Sequence, residues 1–161
     1  MSAVAQHTEV EAFVEAFAAG WRAPGSAAGL VENFRPLLQE DVRLLQPQIP
    51  PLVGLDEFRS GFADPLFALM PDLHGEVEDW AARGDSVYIV IRLRGTLAGK
   101  PFQFRSCDRI TLRDGRIAVR EAFMDPSPMV AAALTRPRAW PLFVRIQART
   151  IQRRLRKGRR T

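Results

Sequence analysis

Between Phe102 and Leu112 the chain alternates with a period of two, and that alternation sets one aspartate among phenylalanines. Successive side chains of a strand point to opposite faces. One face of the segment reads Gln103, Arg105, Cys107, Arg109 and Thr111. The other reads Phe102, Phe104, Ser106, Asp108, Ile110 and Leu112. A carboxylate among apolar groups is costly unless it is paired, protonated or put to use. The segment therefore predicts a lined pocket with an acid in it.

The flanking segments fit the same sheet. Residues 73–82 read as a strand, with Arg83-Gly84-Asp85 as a tight turn. Residues 86–97 carry Val87, Ile89, Ile91 and Leu93 on one face, and Ser86, Tyr88, Val90, Arg92 and Arg94 on the other. Ala98-Gly99-Lys100 turns the chain into 101–112, and Asp114-Gly115 is a strong hairpin signal. The last strand, 116–125, places Ile117, Val119, Glu121, Phe123 and Asp125 in one phase. Upstream the period is near 3.6. Val10, Phe13, Val14, Phe17 and Trp21 predict an amphipathic helix over 7–20. Leu30, Phe34, Leu37 and Leu38 predict a second, shorter one. Residues 46–51 hold three prolines and read as loop. Leu55, Phe58 and Phe62 open a third helix, which Pro65 kinks or restarts and Pro71-Asp72 closes. Helices followed by an antiparallel meander predict an α+β fold, a cone-shaped barrel with N-terminal helices packed on a curved, mostly antiparallel sheet.

At 161 residues with 47% apolar content, the chain is expected to be one domain with an appendage. Its single cysteine, Cys107, rules out an intrachain disulfide. No basic start followed by an apolar run is read, and the apolar runs are too short to span a bilayer. A cytoplasmic location is the expectation. Charge divides the chain at about the same point as pattern does. All 18 acidic residues lie at or before Asp125, whereas residues 136–161 hold 10 of the 23 basic ones and no acid. The body is acidic and the tail strongly basic. The expected boundaries are a cavity domain over 1–126 and a basic helical extension over 127–161, with 156–161 too charged to expect order.

Several short runs, in this order and spacing, resemble the SnoaL-like branch of the nuclear transport factor 2-like superfamily. They are Pro71-Asp72-Leu73-His74, Gly84-Asp85-Ser86-Val87, Arg94-Gly95-Thr96, Asp114-Gly115-Arg116-Ile117 and Asp125. The resemblance covers roughly residues 7–126. It implies a deep cavity between helices and a concave sheet, in a group that includes polyketide cyclases, ketosteroid isomerases, limonene epoxide hydrolases and dehydratases. It also implies sheet-to-sheet homodimers, and Tyr88 and Val90 on the second face of their strand agree with that. One departure is local. Gly95-Thr96 is followed by Leu97-Ala98-Gly99-Lys100, where cyclase-like members often carry a histidine and a longer loop.

Fold alone does not assign a reaction, so the candidate residues are weighed singly. Burial in an apolar cavity suits a carboxyl group to proton transfer near neutral pH. Asp108 is therefore the candidate general acid or base, against the alternative that an arginine or backbone groups hold it. Asp125 shares the apolar phase of the last strand and is a second catalytic candidate. His74 is a third, as a proton shuttle, although its alternation with Glu76, Glu78 and Trp80 also suits a surface residue. Phe102, Phe104 and Phe123 are candidate walls for a substrate, with Glu121 at the mouth and Phe17 and Trp21 from the first helix. Two histidines and one cysteine do not make a usual zinc site. No glycine-rich phosphate loop follows a strand, and a Cys107–His74 nucleophilic pair lacks a local signature. No cofactor and no metal are expected. A cofactor-independent acid/base enzyme acting on a small apolar ligand such as a polyketide, steroid or terpenoid is one reading. A non-catalytic binding or interaction module with a basic targeting tail is the other.

In the tail, Val144, Ala148, Ile151 and Leu155 fall on one helical face, with Arg145, Arg149, Arg153 and Arg156 about a third of a turn away. That pattern suits docking of the apolar stripe on the domain or on a second subunit. It also suits an anionic membrane surface or, less well, nucleic acid, through residues 136–160.

Overall fold

The computed structural model describes residues 3–47 and 49–158. Helix α1 (Ala3–Arg22) is followed by α2 (Ala27–Phe34), which starts where the Ser26 hydroxyl accepts the Gly29 N–H at 3.0 Å. Strands β1 (Leu38–Leu45) and β2 (Leu52–Val53) come next, then α3 (Gly54–Phe58), a π-helical turn Arg59–Ala63 and α4 (Asp64–Leu69). The meander β3 (His74–Arg83), β4 (Ser86–Leu97), β5 (Lys100–Arg113) and β6 (Arg116–Met124) leads into α5 (Ser127–Thr135) and α6 (Trp140–Gly158). The six strands form one open sheet in the order β2-β1-β6-β5-β4-β3. All neighbours are antiparallel except β1 and β6.

The core lies between the sheet's concave face and the helices. Val87, Ile89, Ile91 and Leu93 of β4 are buried, as their alternation predicts, and face Phe13, Phe17 and Trp21 of α1 and Leu30 and Phe34 of α2 in one cluster. Burying each such side chain contributes roughly 1.5–3 kcal/mol. Helix α1 packs close to β3 because Gly75 has no side chain. A Cβ there would lie 2.9–3.1 Å from Leu93, Ile91 and the Trp21 Cβ. Two of the sequence runs also find their physical reason here. Asp72 accepts both the N–H and the hydroxyl of Thr96 at 2.7 Å, tying the end of the helical segment to β4. These bonds, the hydroxyl's first, hold the Asp72 carboxyl below its ordinary range.

Two expectations are corrected. β1 begins at Leu38, the expected end of the second helix, and β1 and β2 flank the segment 46–51, whose described residues form a loop as its prolines predict. Residues 38–45 bury Leu38, Val42 and Leu44, and they gain their hydrogen bonds by lying parallel to β6. That partner is more than 70 residues away, so local pattern gave little sign of it. The second correction concerns the phase of β6. From the turn at Asp114-Gly115, Arg113 faces Arg116 and Leu112 faces Ile117, but Thr111 faces Val119. Ala118 is the extra residue of a β-bulge, and beyond it every side chain changes face. Ile117 points inward, and then so do Arg120 and Ala122, while Glu121 and Phe123 point out.

Residues 127–158 fold back onto the cavity side. Arg136 pins the start of this extension to the β4–β5 hairpin, donating to the carbonyls of Leu97 (2.9 Å), Pro101 (3.3 Å) and Lys100 (3.4 Å). Its guanidinium also covers the Phe102 ring at 5.6 Å. Residues 156–158 continue α6, and 159–161 lie outside the described residues.

Candidate active site

Asp108 is fully buried, on the same face as Phe102 and Phe104. It does not reach the cavity surface. Its Oδ1 accepts the Ser106 hydroxyl at 2.6 Å, and its Oδ2 accepts the Arg120 Nε–H at 2.7 Å. Arg120 is the other member of a buried ion pair, 6% exposed, and it stands between Asp108 and the cavity. The face of the Phe62 ring lies 4.9 Å from the guanidinium carbon on another side. The terminal nitrogens of Arg120 have no acceptor among the described residues. A guanidinium carries five N–H donors in a fixed fork. With Nε committed to Asp108, the remaining donors are free for a ligand.

The bulge at Ala118 creates this pair. In the register dictated by the two-residue turn alone, Asp108 would sit opposite Glu121 on the buried face, two like charges side by side. The bulge shifts the register so that Asp108 faces Ala122, with Arg120 diagonal to it on the same face. Glu121 turns outward to pair with Arg109.

The cavity has a volume of about 190 Å³. Its walls come from the α3–α4 segment, the β1–β2 loop, the sheet and the extension. Leu66, Leu69, Leu93, Phe104, Met129 and Phe143 make it predominantly apolar. Among the described residues, Arg120 and Asp125 are the only charged side chains in its lining. Asp125 is exposed, at the rim, and its Oδ1 accepts the Ser127 N–H at 2.9 Å. Hydrogen bonding to the Ser127 side chain, and then to its backbone, holds the Asp125 carboxyl below the ordinary aspartate range. Gln46 adds a polar group from the β1–β2 loop, and its Oε1 is buried without a donor among the described residues. Behind Phe62 lies a second chamber of about 10 Å³, room for a single oxygen atom or water. Trp21 and Arg120 both line it. The Trp21 Nε1–H is buried with no acceptor among the described residues. Leaving such a donor unpaired costs about 1–3 kcal/mol.

The other candidate residues are dispersed. Phe104 lines the cavity, while Phe102 is buried beneath Arg136. Phe17 is wholly buried within the core rather than in the cavity lining. Phe123, 53% exposed, and Glu121 lie on the outer face of the sheet because of the bulge, not in the cavity. His74 is exposed at the start of β3, with its Nδ1 3.1 Å from the Asp72 carbonyl oxygen, and is outside the cavity lining. Cys107 lies two strands away from it, opposite Val90, where His74 faces Arg94. Burial, followed by the neighbouring Asp108 charge, pushes the Cys107 thiol up, which disfavours a nucleophilic role. Among the described residues no group of three or more His, Cys, Asp and Glu side chains is placed to hold a metal. Arg120 was not singled out from the sequence. The signal for it was the clash of Asp108 with Glu121 in the simple hairpin register.

Helices on the concave face of a mostly antiparallel sheet, with a cavity between, define the cone fold of the nuclear transport factor 2-like superfamily. Within it, the chain belongs to the SnoaL-like domain family, whose pattern matches residues 10–120. Solved structures share the fold. One is a SnoaL-like protein from Jannaschia sp. CCS1, provisionally assigned as a polyketide cyclase. It is 23% identical with a TM-score of 0.62, over 80% of this chain and 90% of that one. Another has a ketosteroid isomerase-like fold, comes from Catenulispora acidiphila and was solved with trimethylamine. It is 20% identical with a TM-score of 0.62, over 74% and 89%. A third is a Mycobacterium tuberculosis epoxide hydrolase of the limonene epoxide hydrolase-like kind. It is 19% identical with a TM-score of 0.59, over 84% and 96%. No curated protein matches the chain.

Proposed function

We propose that this SnoaL-like chain is a cofactor-independent enzyme acting on a small apolar molecule of the polyketide, steroid or terpenoid kind. In this reading Arg120 meets the substrate's oxygen. The observation that carries it is the buried Asp108–Arg120 pair, whose guanidinium lines a predominantly apolar cavity with terminal donors unpaired among the described residues. Preorganised donors aimed at an oxygen that gains negative charge stabilise the transition state without reorganising. Asp108 positions Arg120 and does not touch the substrate. Asp125, the one carboxylate in the cavity lining among the described residues, is the candidate proton acceptor. It would take a proton from the carbon beside a carbonyl while the electron pair moves onto the oxygen held by Arg120. Return of that proton to another carbon isomerises the substrate; alternatively, the enolate carbon attacks a second carbonyl, forming the ring's C–C bond, and the proton returns to the alkoxide that this leaves. Relatives described as a polyketide cyclase and an epoxide hydrolase agree with chemistry at an oxygen-bearing apolar substrate.

One observation favours the second reading, a cavity that binds without turnover. Asp125 is held in its charged form and is a weak base. The two readings separate with Arg120→Lys and Asp125→Asn. Lysine keeps the charge beside Asp108 but loses the fork. Binding is measured by calorimetry on matched pairs, a cyclic ketone and the corresponding hydrocarbon. Arg120→Lys should weaken the ketone by about tenfold, on the order of 1.4 kcal/mol, and leave the hydrocarbon unchanged. Equal loss for both would refute the role of Arg120. Asp125→Asn should reduce turnover, followed by proton exchange in NMR, by a factor on the order of 10² while retaining binding. Ketone binding without any exchange in the parent would establish the binding module instead.

A further inference from the structure

Helix α6 carries a continuous apolar stripe that the domain does not cover. Trp140, Val144, Ile151 and Leu155 are each more than half exposed, and Ala148 between them is exposed too. At 100° per residue these five positions fall within about 80° of one another. The helix attaches to the domain by the adjoining flank, where Phe143 and Gln147 line the cavity. The expectation that the stripe itself docks on the domain is therefore not met. On the other side of the stripe Arg145 is exposed, and the segment from 136 to 161 holds ten basic residues and no acid. Arg136 is the one of these whose charge is spent on the domain's carbonyl groups among the described residues.

We propose that α6 is an interfacial helix that lays this stripe into the surface of an anionic lipid bilayer. A helix with one apolar flank and a cationic remainder lies in the plane of the interface, its apolar side among the acyl chains and its arginines at the headgroups. Each basic side chain near an anionic leaflet adds to the attraction, within a Debye length of the surface. The charge argues against the other occupants. Two such helices packed stripe to stripe would bring arginines of like sign together. Nucleic acid would engage the arginines and leave the tryptophan, valine, isoleucine and leucine in water. No helix among the described residues is long and apolar enough to cross a membrane, so the contact is at the surface. Docking in this way would bring the cavity wall formed by Phe143 and Gln147 close to the bilayer, where an apolar ligand concentrates. The proposal stands on the exposed stripe and the charge alone, and it holds whether or not the cavity is catalytic.

The test is co-sedimentation of the full chain with vesicles of phosphatidylcholine, with and without one-third phosphatidylglycerol. Binding should be at least about tenfold tighter to the anionic vesicles and should weaken when salt rises from about 0.1 to 0.5 M, as screening shortens. Ile151→Glu with Leu155→Glu should abolish it. Both positions are exposed, so the variant should keep the parent's circular dichroism and melting. On anionic vesicles the tryptophan emission should shift to the blue, and Trp140→Phe should remove the shift. No binding to anionic vesicles, or equal binding by the double variant, would overturn the proposal. So would a stripe variant that changes only the sedimentation coefficient, or a chain that shifts a labelled duplex DNA while leaving vesicles untouched.

Discussion

The Asp108–Arg120 pair lends itself to a quantitative test. Both members are almost wholly out of solvent, so little screening reduces their interaction. Removing one partner of a buried pair typically costs about 3–5 kcal/mol, because the other charge is left uncompensated. Asp108→Asn should lie at the lower end, since the amide oxygen can still accept from Ser106 or Arg120. Arg120→Met should lie at the upper end, since it also removes the contact with the Phe62 ring, worth roughly 0.5–2 kcal/mol. For a chain of this length 1 kcal/mol moves the melting temperature by about 2–4 °C, so each single variant should melt at least about 6 °C below the parent. The double variant exchanges the pair for a neutral amide and an apolar chain of similar length. It leaves no buried charge, and it should be less destabilised than the sum of the singles by at least about 2 kcal/mol. Urea unfolding followed by circular dichroism measures all four forms. A double variant equal to the sum within about 0.5 kcal/mol would mean the two groups are not coupled. Asp108→Asn melting with the parent would mean that Asp108 is not holding a charge in place, and the positioning role assigned to it would fall.

Three further outcomes are expected. The Asp72 carboxyl is held low by Thr96, so its contribution is fully present above the unfolded value and is lost as pH falls through the lower folded value. The parent should therefore lose more stability than Asp72→Ala as pH drops below about 4, and parallel melting curves from pH 5 to pH 2 would contradict this. Gly75→Ala would press a methyl group against Leu93, Ile91 and Trp21 and should cost about 1–3 kcal/mol, whereas a stabilised variant in urea would show that α1 can retreat from β3. The outer face of the sheet, with Val90, Cys107 and Phe123 aligned across β4, β5 and β6, is expected to pair with a second copy. Sedimentation velocity at tens of micromolar, about the regime of a weak interface, should show a dimer that Phe123→Glu converts to monomer, and a monomeric parent would remove the expectation.

The meander was legible because β4 and β5 obey strict alternation and their turns carry their own signals. At the Ala98-Gly99 and Asp114-Gly115 turns, all four residues take positive φ, which suits the tight hairpin geometry that a short turn followed by alternation predicts. Phase failed at two bulges, Glu78 in β3, beyond which Trp80 turns toward the core and away from the face of His74, and Ala118 in β6. A bulge is one residue long and has no composition of its own, and its effect is felt on everything beyond it. The bulge at Ala118 moved Phe123 and Glu121 out of the cavity and Arg120 in. β1 was hidden for another reason. Its strand character is conferred by β6, and the segment Leu37-Leu38 reads equally well as the end of a helix until its partner is known. Asp108 is buried, as its strand phase predicts. Its surroundings depended on the residue diagonal to it, which only the true register reveals.

Arg120 is gripped on one side by Asp108 and faced on another by the Phe62 ring, so its guanidinium has little freedom to follow a ligand. A guest must come to it. If a guest's polar end meets that stop as proposed, the cavity, whose lining runs from Arg120 to the exposed Asp125, becomes a gauge of length. Molecules with the same oxygen would be sorted by how far their carbon skeleton extends from it. Changing a residue at the mouth would move the cut-off, while changing Arg120 would remove the zero of the scale.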